Sequence, residues 1–274
     1  MTTVNNGVAV ITGAARGQGR SHAEALAREG YDIIAIDRCA DIASIPYPLA
    51  TREDLDETAE LVKAAGRRVV TAVADVRSLS DLQAAITTGV DQLGDIDVVV
   101  ANAGVVAIGK PDPNDEELYR DIVDTNLNGV WHTIAATVPS MIRKGSGGSI
   151  ILVSSMQGLV GRGGDGSAAA FAYAASKHGV VGLMRSAANA YAAHNIRVNS
   201  LHPTGVGTPM IFNEHMAGVF ANNPHDLGAM SGNLLPVPFV ESIDVTNVVT
   251  FLVSDKARYI TGVTMPVDAG FAVM

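Results

Sequence analysis

Short runs of β-branched and apolar residues alternate along the chain with longer stretches in which apolar positions recur every three to four residues. "VAVIT" (8–12), "YDIIAID" (31–37), "RVVTAVA" (68–74), "IDVVVA" (96–101), "SIILVS" (149–154), "RVNSL" (197–201) and "VTMPVD" (263–268) read as strands. Most are nearly continuous in apolar residues, as parallel strands covered on both faces should be. The segments between them predict helices near 18–29, 53–65, 79–93, 115–143, 171–194 and 241–254. The expected fold is α/β: a Rossmann-type, doubly wound parallel sheet of about seven strands in a single domain spanning 1–274.

Two segments interrupt this rhythm. Residues 38–50 separate the second strand from its helix and carry Ile42, Ile45, Pro46, Tyr47, Pro48 and Leu49, an apolar set able to fold back over a bound ligand. A surface elaboration or an oligomer contact is the other reading of this insertion. Thr51 with Asp54 three residues later is a cap signal that restarts the helix. Residues 203–240 contain "NNP", "LLPVP", Met210, Met216 and Met230 without a strong period. Their length and apolar content favour a substrate-covering lobe over a wandering surface connection.

Composition narrows the function classes. With 47% hydrophobic and 17% charged residues, and 28 glycines spread along the chain, a sizeable core can form. A net charge of -9 and scattered basic residues argue against a nucleic-acid partner. Cys39 is the only cysteine, which excludes an intrachain disulfide and a cysteine-rich metal cluster and suits a reducing compartment. The histidines at 22, 132, 178, 194, 202, 215 and 225 form no pair with an acid at metal-ligand spacing, so no metal site is expected. No apolar run reaches the roughly 18 residues of a membrane span, and "MTTVNNGVAV" lacks the features of a signal peptide. A cytoplasmic protein without a membrane partner is the expectation.

The chemistry begins at "VAVITGAARGQGRSHAEALA", where Gly13, Gly17 and Gly19 lie at the junction of the first strand and first helix. Glycine there permits a tight turn and lets backbone N–H groups approach a pyrophosphate. Asp37 ends the second strand, eighteen positions after Gly19. A carboxylate there can accept both hydroxyls of an adenosine ribose and repels a 2′-phosphate, which favours NAD over NADP. Arg38 argues the other way, since an arginine beside the acid could face a phosphate. Tyr173 and Lys177 are four apart on a predicted helix and share a face, so the ammonium can favour the phenolate and bring it into range as a base. Ser155, at the end of the fifth strand, can donate to a substrate oxygen.

T-G-x-x-x-G-x-G, "NAG" (102–104), Asn126, "SSMQG" (154–158) and "YAASK" (173–177), in this order, closely resemble the short-chain dehydrogenase/reductase family. The resemblance covers essentially the whole chain. It implies a catalytic set of Asn126, Ser155, Tyr173 and Lys177. Ser155 would stabilise the substrate oxygen, Tyr173 exchange its proton, Lys177 also hold the nicotinamide ribose, and Asn126 support a water-linked proton path on the long central helix. It further implies a cofactor site built from Gly13, Ala15, Arg16, Gly17, Gln18, Gly19, Asp37, Arg38, Asp75, Val76, Asn102, Ala103, Gly104, Tyr173, Lys177, Val206 and Thr208.

Three departures are visible: the insertion at 38–50, a separation of eighteen positions from Ser155 to Tyr173, and Gln18 where the family usually has isoleucine. Thr204 also replaces a usual glycine and puts the local backbone path in question. "GAARGQGRSHA", the insertion and "HPT" (202–204) resemble the mycofactocin-associated subgroup, which includes carveol dehydrogenases. That resemblance implies a slowly exchanging NAD buried by the insertion and reoxidised in place by a peptide-derived redox cofactor. It also implies apolar secondary alcohols as substrates. The family is commonly tetrameric, so a homotetramer paired through 115–143, 171–194 and the C-terminal segment is expected. An NADPH-linked ketoreductase and a non-catalytic nucleotide-binding redox sensor are the competing functions. Asp37 argues against the first, and the intact catalytic set argues against the second.

Overall fold

Strands that are apolar on both faces must be buried on both faces, and the chain achieves this by sending alternate residues to opposite sides of one sheet. The computed structural model describes residues 7–109, 112–162, 164–222 and 232–273. His225, Met230 and part of the "NNP" stretch of the predicted lobe lie outside them. The strands are β1 (Gly7–Thr12), β2 (Tyr31–Asp37), β3 (Val69–Val73), β4 (Val98–Ala101), β5 (Gly148–Val153), β6 (Ile196–Pro203) and β7 (Thr264–Val267), all parallel in the order β3-β2-β1-β4-β5-β6-β7. Val10, Ile34, Val99 and Leu152 face one layer, while their neighbours Ile11, Ile33, Val100 and Ile151 face the other.

Three helices cover the second layer: α1 (Gly17–Arg28), α2 (Arg52–Ala64) and a C-terminal helix (Ser242–Val253), through Leu26, Leu55, Val245 and Val249. The first layer receives α3 (Leu79–Leu93) and the two helical segments that begin at Gly129 and Ala168. Fully buried side chains such as Leu26 and Leu55 each contribute roughly 1.5–3 kcal/mol by leaving water. Strand order reverses between β1 and β4, which opens a crevice at the carboxyl ends of these strands.

The predicted helix at 115–143 is interrupted. It consists of α4 (Glu116–Val123), a π-helical turn (Asp124–Asn128) and α5 (Gly129–Lys144). The wider turn falls on Asn126 and re-aims its side chain inward, a recurrent position for π-turns at functional sites. Then come α6 (Ala168–Tyr191), α7 (Glu214–Asn222) and, as α8, the helix Ser242–Val253. Helix α7 had no clear period in the sequence, because only Met216 and Val219 along it are buried.

Residues 38–50 are held by their own contacts. Leu49 N–H donates to Asp41 Oδ1 at 2.7 Å, Ile45 N–H donates to Ile42 O at 2.9 Å, and Arg38 Nη2 donates to Asp41 O at 2.9 Å. The expected restart is present as a reciprocal capping box between Thr51 and Asp54. Ile42, Ile45 and Tyr47 are buried among Val105, Leu118, Ile122 and Ala172, with Tyr173 packed at the edge. The insertion therefore reaches past the adenosine end of the crevice to α4 and α6.

Helices α1 and α8 meet around His22, which is fully buried. Thr246 Oγ1 donates to Ser242 O at 2.9 Å, so its oxygen accepts from His22 Nδ1–H at 2.7 Å. Nε2 has no partner among the described residues. Burial pushes this imidazole down to about 3. Between the ordinary histidine value near 6.5 and that value, the unfolded chain binds a proton that the folded chain refuses, so stability falls as pH falls through this window. Urea-denaturation midpoints are therefore expected to drop from pH 7 to pH 4.5, and to drop less in His22→Asn; equal slopes would contradict this account.

Candidate active site

A parallel sheet leaves backbone groups unpaired where its strands stop, and here side chains take them up. At the end of β1, Thr12 Oγ1 accepts from Asn102 N–H at 3.1 Å and Ala103 N–H at 3.3 Å, while Asn102 Nδ2 donates to Thr12 O and Gly13 O. The chain then turns through Gly13 and Gly17, at φ +66° and +56°. A Cβ at Gly19 would lie 1.9 Å from Gly13 O, so helix and loop can meet this closely only at glycine. Arg20 Nη2 donates to Ala15 O at 2.7 Å and Thr58 Oγ1 donates to Ala14 O and Ala15 O, fixing the loop from behind. Neither residue was singled out in the sequence, because both act on backbone atoms and leave no motif.

Asp37 sits at the carboxyl end of β2. Its Oδ2 accepts from Ala15 N–H at 3.0 Å and its Oδ1 from Cys39 N–H at 3.2 Å, which aims the carboxylate across the loop. Arg38 does not project freely into the crevice. Its Nη1 is 2.7 Å from Asp75 Oδ2, and Asp75 is also gripped by Arg77. Burial opposes ionisation of Asp75, but hydrogen bonds and charge from Arg77, aided by Arg38, carry its carboxyl below the usual range. Arg77 continues to Asp121, which accepts from Ser44 Oγ at 2.7 Å. A chain of polar contacts thus joins the insertion to the turn after β3 and to α4.

The crevice is lined by Gly13, Arg16, Gly17, Gln18, Asp37, Arg38, Asp75, Val76, Asn102, Ala103, Gly104 and Thr208 of the sequence-predicted cofactor set. Thr208 also packs on Gly17, where an added Cβ would come within 3.2 Å of its Cγ2. Ala15 and Gly19 are buried behind the loop, and Val206 is buried in the core with a bridge to Val240; none of these three lines the crevice. Thr204 N–H donates to Val267 O and its hydroxyl to Asn233 Oδ1, so threonine ties this segment to β7 without a left-handed backbone. From the insertion come Ile42, Tyr47, Leu49 and Ala50, which close the crevice from above. Arg16 Nη2 donates to Pro48 O at 2.7 Å and Val106 N–H donates to Tyr47 Oη at 3.3 Å, latching the insertion on both banks.

Tyr173 and Lys177, the remaining members of that set, do not line the crevice either; Lys177 lies behind Gly104, with Tyr173 and Ser155 beside it. Lys177 is 4% exposed and its Nζ donates to Val153 O at 3.0 Å. The ammonium lies 5.6 Å from the Tyr173 ring centroid. Burial pulls its pKa down to about 8. Burial also raises Tyr173, and the hydrogen bond with Ser155 only partly offsets this. The sequence argument expected the lysine to lower the phenol; here desolvation sets the direction, and the opposing contribution comes from Ser155. Asn126 is fully buried, its Oδ1 accepting from Val105 N–H and its Nδ2 donating to Val105 O, both at 2.8 Å. Its side chain is thus committed to the segment after β4. Gly104 lies beside it, and an added Cβ there would press on Asn126 Oδ1 at 3.2 Å and touch Lys177 Nζ at 3.5 Å.

Two buried polar atoms on the crevice, Gln18 Oε1 and Thr125 Oγ1, have no partner among the described residues. Together with the glycine cradle and the Asp37 carboxylate, they fit an elongated polar ligand with a pyrophosphate and two sugars. Thr125 was missed in the sequence, although it directly precedes Asn126. The loop between Ser155 and Tyr173 is tied down by Gln157 Nε2 donating to Arg162 O at 2.6 Å and by Arg162 Nη1 donating to Phe271 O at 3.1 Å. Among the described residues, no three His, Cys, Asp or Glu side chains gather as metal ligands, and no helix is long and apolar enough to cross a membrane.

Comparison with known proteins agrees with this geometry. A family model described as short chain dehydrogenase matches residues 7–216. The chain is 48% identical to a (-)-trans-carveol dehydrogenase of Rhodococcus erythropolis, over 98% of this chain and 99% of that protein. It is similar to the crystal structure of a carveol dehydrogenase from Mycobacterium avium in complex with NAD, with a TM-score of 0.91, 46% identity and 100% of both chains covered. It is also similar to a short chain dehydrogenase from Mycobacterium paratuberculosis bound to NAD, with a TM-score of 0.88, 41% identity, and 99% and 100% of the two chains covered.

Proposed function

The chain belongs to the short chain dehydrogenase family, and from that premise we propose that it is an NAD-dependent alcohol dehydrogenase. Its substrate is a hydrophobic secondary alcohol, a carveol-like monoterpenol or similar, and its product the ketone. The observation that carries the reading is a crevice lined by Asp37 and Gly104, with Lys177 Nζ packed behind Gly104 and Tyr173 and Ser155 beside that lysine. Asp37 would bind the ribose hydroxyls and repel a 2′-phosphate. Arg38, paired with Asp75, does not offset that repulsion, which disfavours the NADPH-linked ketoreductase alternative.

When bound, the nicotinamide would supply the hydride acceptor. Ser155 Oγ orients the substrate oxygen by hydrogen bonding. Tyr173 Oη accepts the hydroxyl proton as the carbonyl forms. Lys177 Nζ, anchored to Val153 O, would stabilise the phenolate and hold the nicotinamide ribose. Asn126 acts through Val105, keeping the backbone after β4 in place, and would support a water-linked proton path from Lys177.

Retention of the NAD, with reoxidation in place by a peptide-derived redox cofactor of the mycofactocin type, is the second part of the proposal. What supports it is the insertion, latched by Arg16, Tyr47, Ser44 and Arg38 and packed on an apolar cluster. Residues 203–222 would help cover the substrate, with Met210 on the crevice and His215 Nε2 2.7 Å from Ile108 O. Trp131 on α5 and Phe171 on α6 expose half or more of their surface, which supports pairing of long helices in a homotetramer. The single cysteine suits a cytoplasmic setting.

Oxidation of a secondary monoterpenol should proceed with NAD and much more slowly with NADP, and Tyr173→Phe should lower kcat by about 10²–10⁴-fold. Equal use of both coenzymes, or an active Tyr173→Phe, would show the reading to be wrong. Protein purified without added coenzyme should release NAD on denaturation, and Arg16→Ala should speed its exchange; empty protein that exchanges added NAD rapidly sinks the retention idea alone. Sedimentation equilibrium should give four times the chain mass, and a monomer would remove the assembly proposal.

A further inference from the structure

We propose that His202 is a positioning residue for Ser155, an inference that rests on the dehydrogenase reading above. The β5–β6 ladder has its last register pair at Val153 and Leu201, and Ser154 N–H donates to Leu201 O at 2.8 Å. In a parallel pair the next donor from β6 would be the N–H of residue 203, but that residue is Pro203, which has none. The backbone of β6 therefore cannot hold the chain any further toward the reacting end. One residue on, the His202 ring does so instead, with Nδ1 2.7 Å from Ser155 O.

The tautomer follows from the partners. A carbonyl only accepts, so Nδ1 carries the hydrogen and donates it to Ser155 O. Nε2, 2.8 Å from Ser200 Oγ, then accepts the Ser200 hydroxyl proton. Both ring nitrogens are satisfied in the neutral form, and no proton is left to exchange with substrate. His202 is fully buried, and burial pushes its pKa down to about 4, which keeps it neutral under working conditions.

This anchor matters because Ser155 has few others. Its carbonyl also accepts from Gly158 N–H at 2.9 Å, and its Oγ accepts from Gln157 N–H at 3.2 Å, both within the same short turn Met156–Gly158. Those bonds move with the turn. The histidine alone ties the Ser155 carbonyl to the rigid sheet, while Ser154 is held by Leu201 O and, through its hydroxyl, by Lys177 O. Loss of the ring would let the Ser155 peptide rotate and carry Oγ away from Tyr173. Misplacement of about 1 Å at such a group costs on the order of a hundredfold in rate.

The test compares His202→Leu, which fills the space without a donor, with His202→Asn, whose amide N–H can stand where Nδ1–H stood. His202→Leu is expected to lower kcat for alcohol oxidation about tenfold to a hundredfold, with KM for NAD and the bound nucleotide content little changed. His202→Asn is expected to recover most of the loss. An unchanged kcat in His202→Leu, or His202→Asn no better than His202→Leu, overturns the proposal. If His202→Leu does not fold, His202→Phe, which keeps a planar ring without a donor, takes its place with the same two outcomes. Wild-type protein that oxidises no alcohol overturns the dehydrogenase reading itself, whereas an active wild type with indifferent His202 variants overturns only this inference.

Discussion

Parallel strands that stop in register leave a row of backbone N–H and C=O groups with no ladder to join, and burying such groups unpaired costs about 1–3 kcal/mol each. In this protein that row lies at the carboxyl edge of the sheet, and the side chains that satisfy it are largely those of the site. Thr12 and Asn102 close β1 against β4, Asp37 takes Ala15 N–H, Asn126 takes both groups of Val105, Lys177 takes Val153 O and His202 takes Ser155 O. Structural need and chemistry therefore converge on the same atoms. A residue that supports the edge is already within reach of whatever lies along it, and its position is fixed before any ligand arrives.

The insertion changes what that edge can bind and release. An ordinary connection from β2 to α2 would leave the crevice open, but here apolar side chains from residues 38–50 pack against α4 and α6 as one cluster with Tyr173 at its margin. The polar chain from Ser44 through Asp121, Arg77 and Asp75 to Arg38 fastens the segment and occupies the arginine beside Asp37. Coenzyme choice and closure of the crevice thus share residues. Cofactor retention, as proposed, would be a packing property of this cluster rather than of one strong bond.

The alternation of strands and helices, the glycine loop and the placement of Tyr173 and Lys177 were legible because each has a local signature in period or spacing. Three features were not. The π-turn at Asp124–Asn128 widens one turn only and leaves the helical period of 115–143 nearly unchanged. Helix α7 buries too few side chains to announce itself. Arg20, Thr58 and His202 act on backbone atoms far away in sequence, such as Ser155 O forty-seven positions from His202, and no single-sequence pattern encodes such a partner. The upward shift of the Tyr173 phenol was hidden for a related reason, since desolvation depends on what the fold packs around it.

The central claim is that the carboxyl edge is set in advance for a dinucleotide running from Asp37 to Lys177 beneath the insertion. A crystal structure of the NAD-loaded protein tests it most directly. The account predicts NAD along that edge, with Thr12–Asn102, Asn126–Val105, Lys177–Val153 and His202–Ser155 hydrogen bonds kept and residues 38–50 still packed on α4 and α6. NAD bound elsewhere, or an edge whose hydrogen bonds rearrange to receive it, would contradict the account.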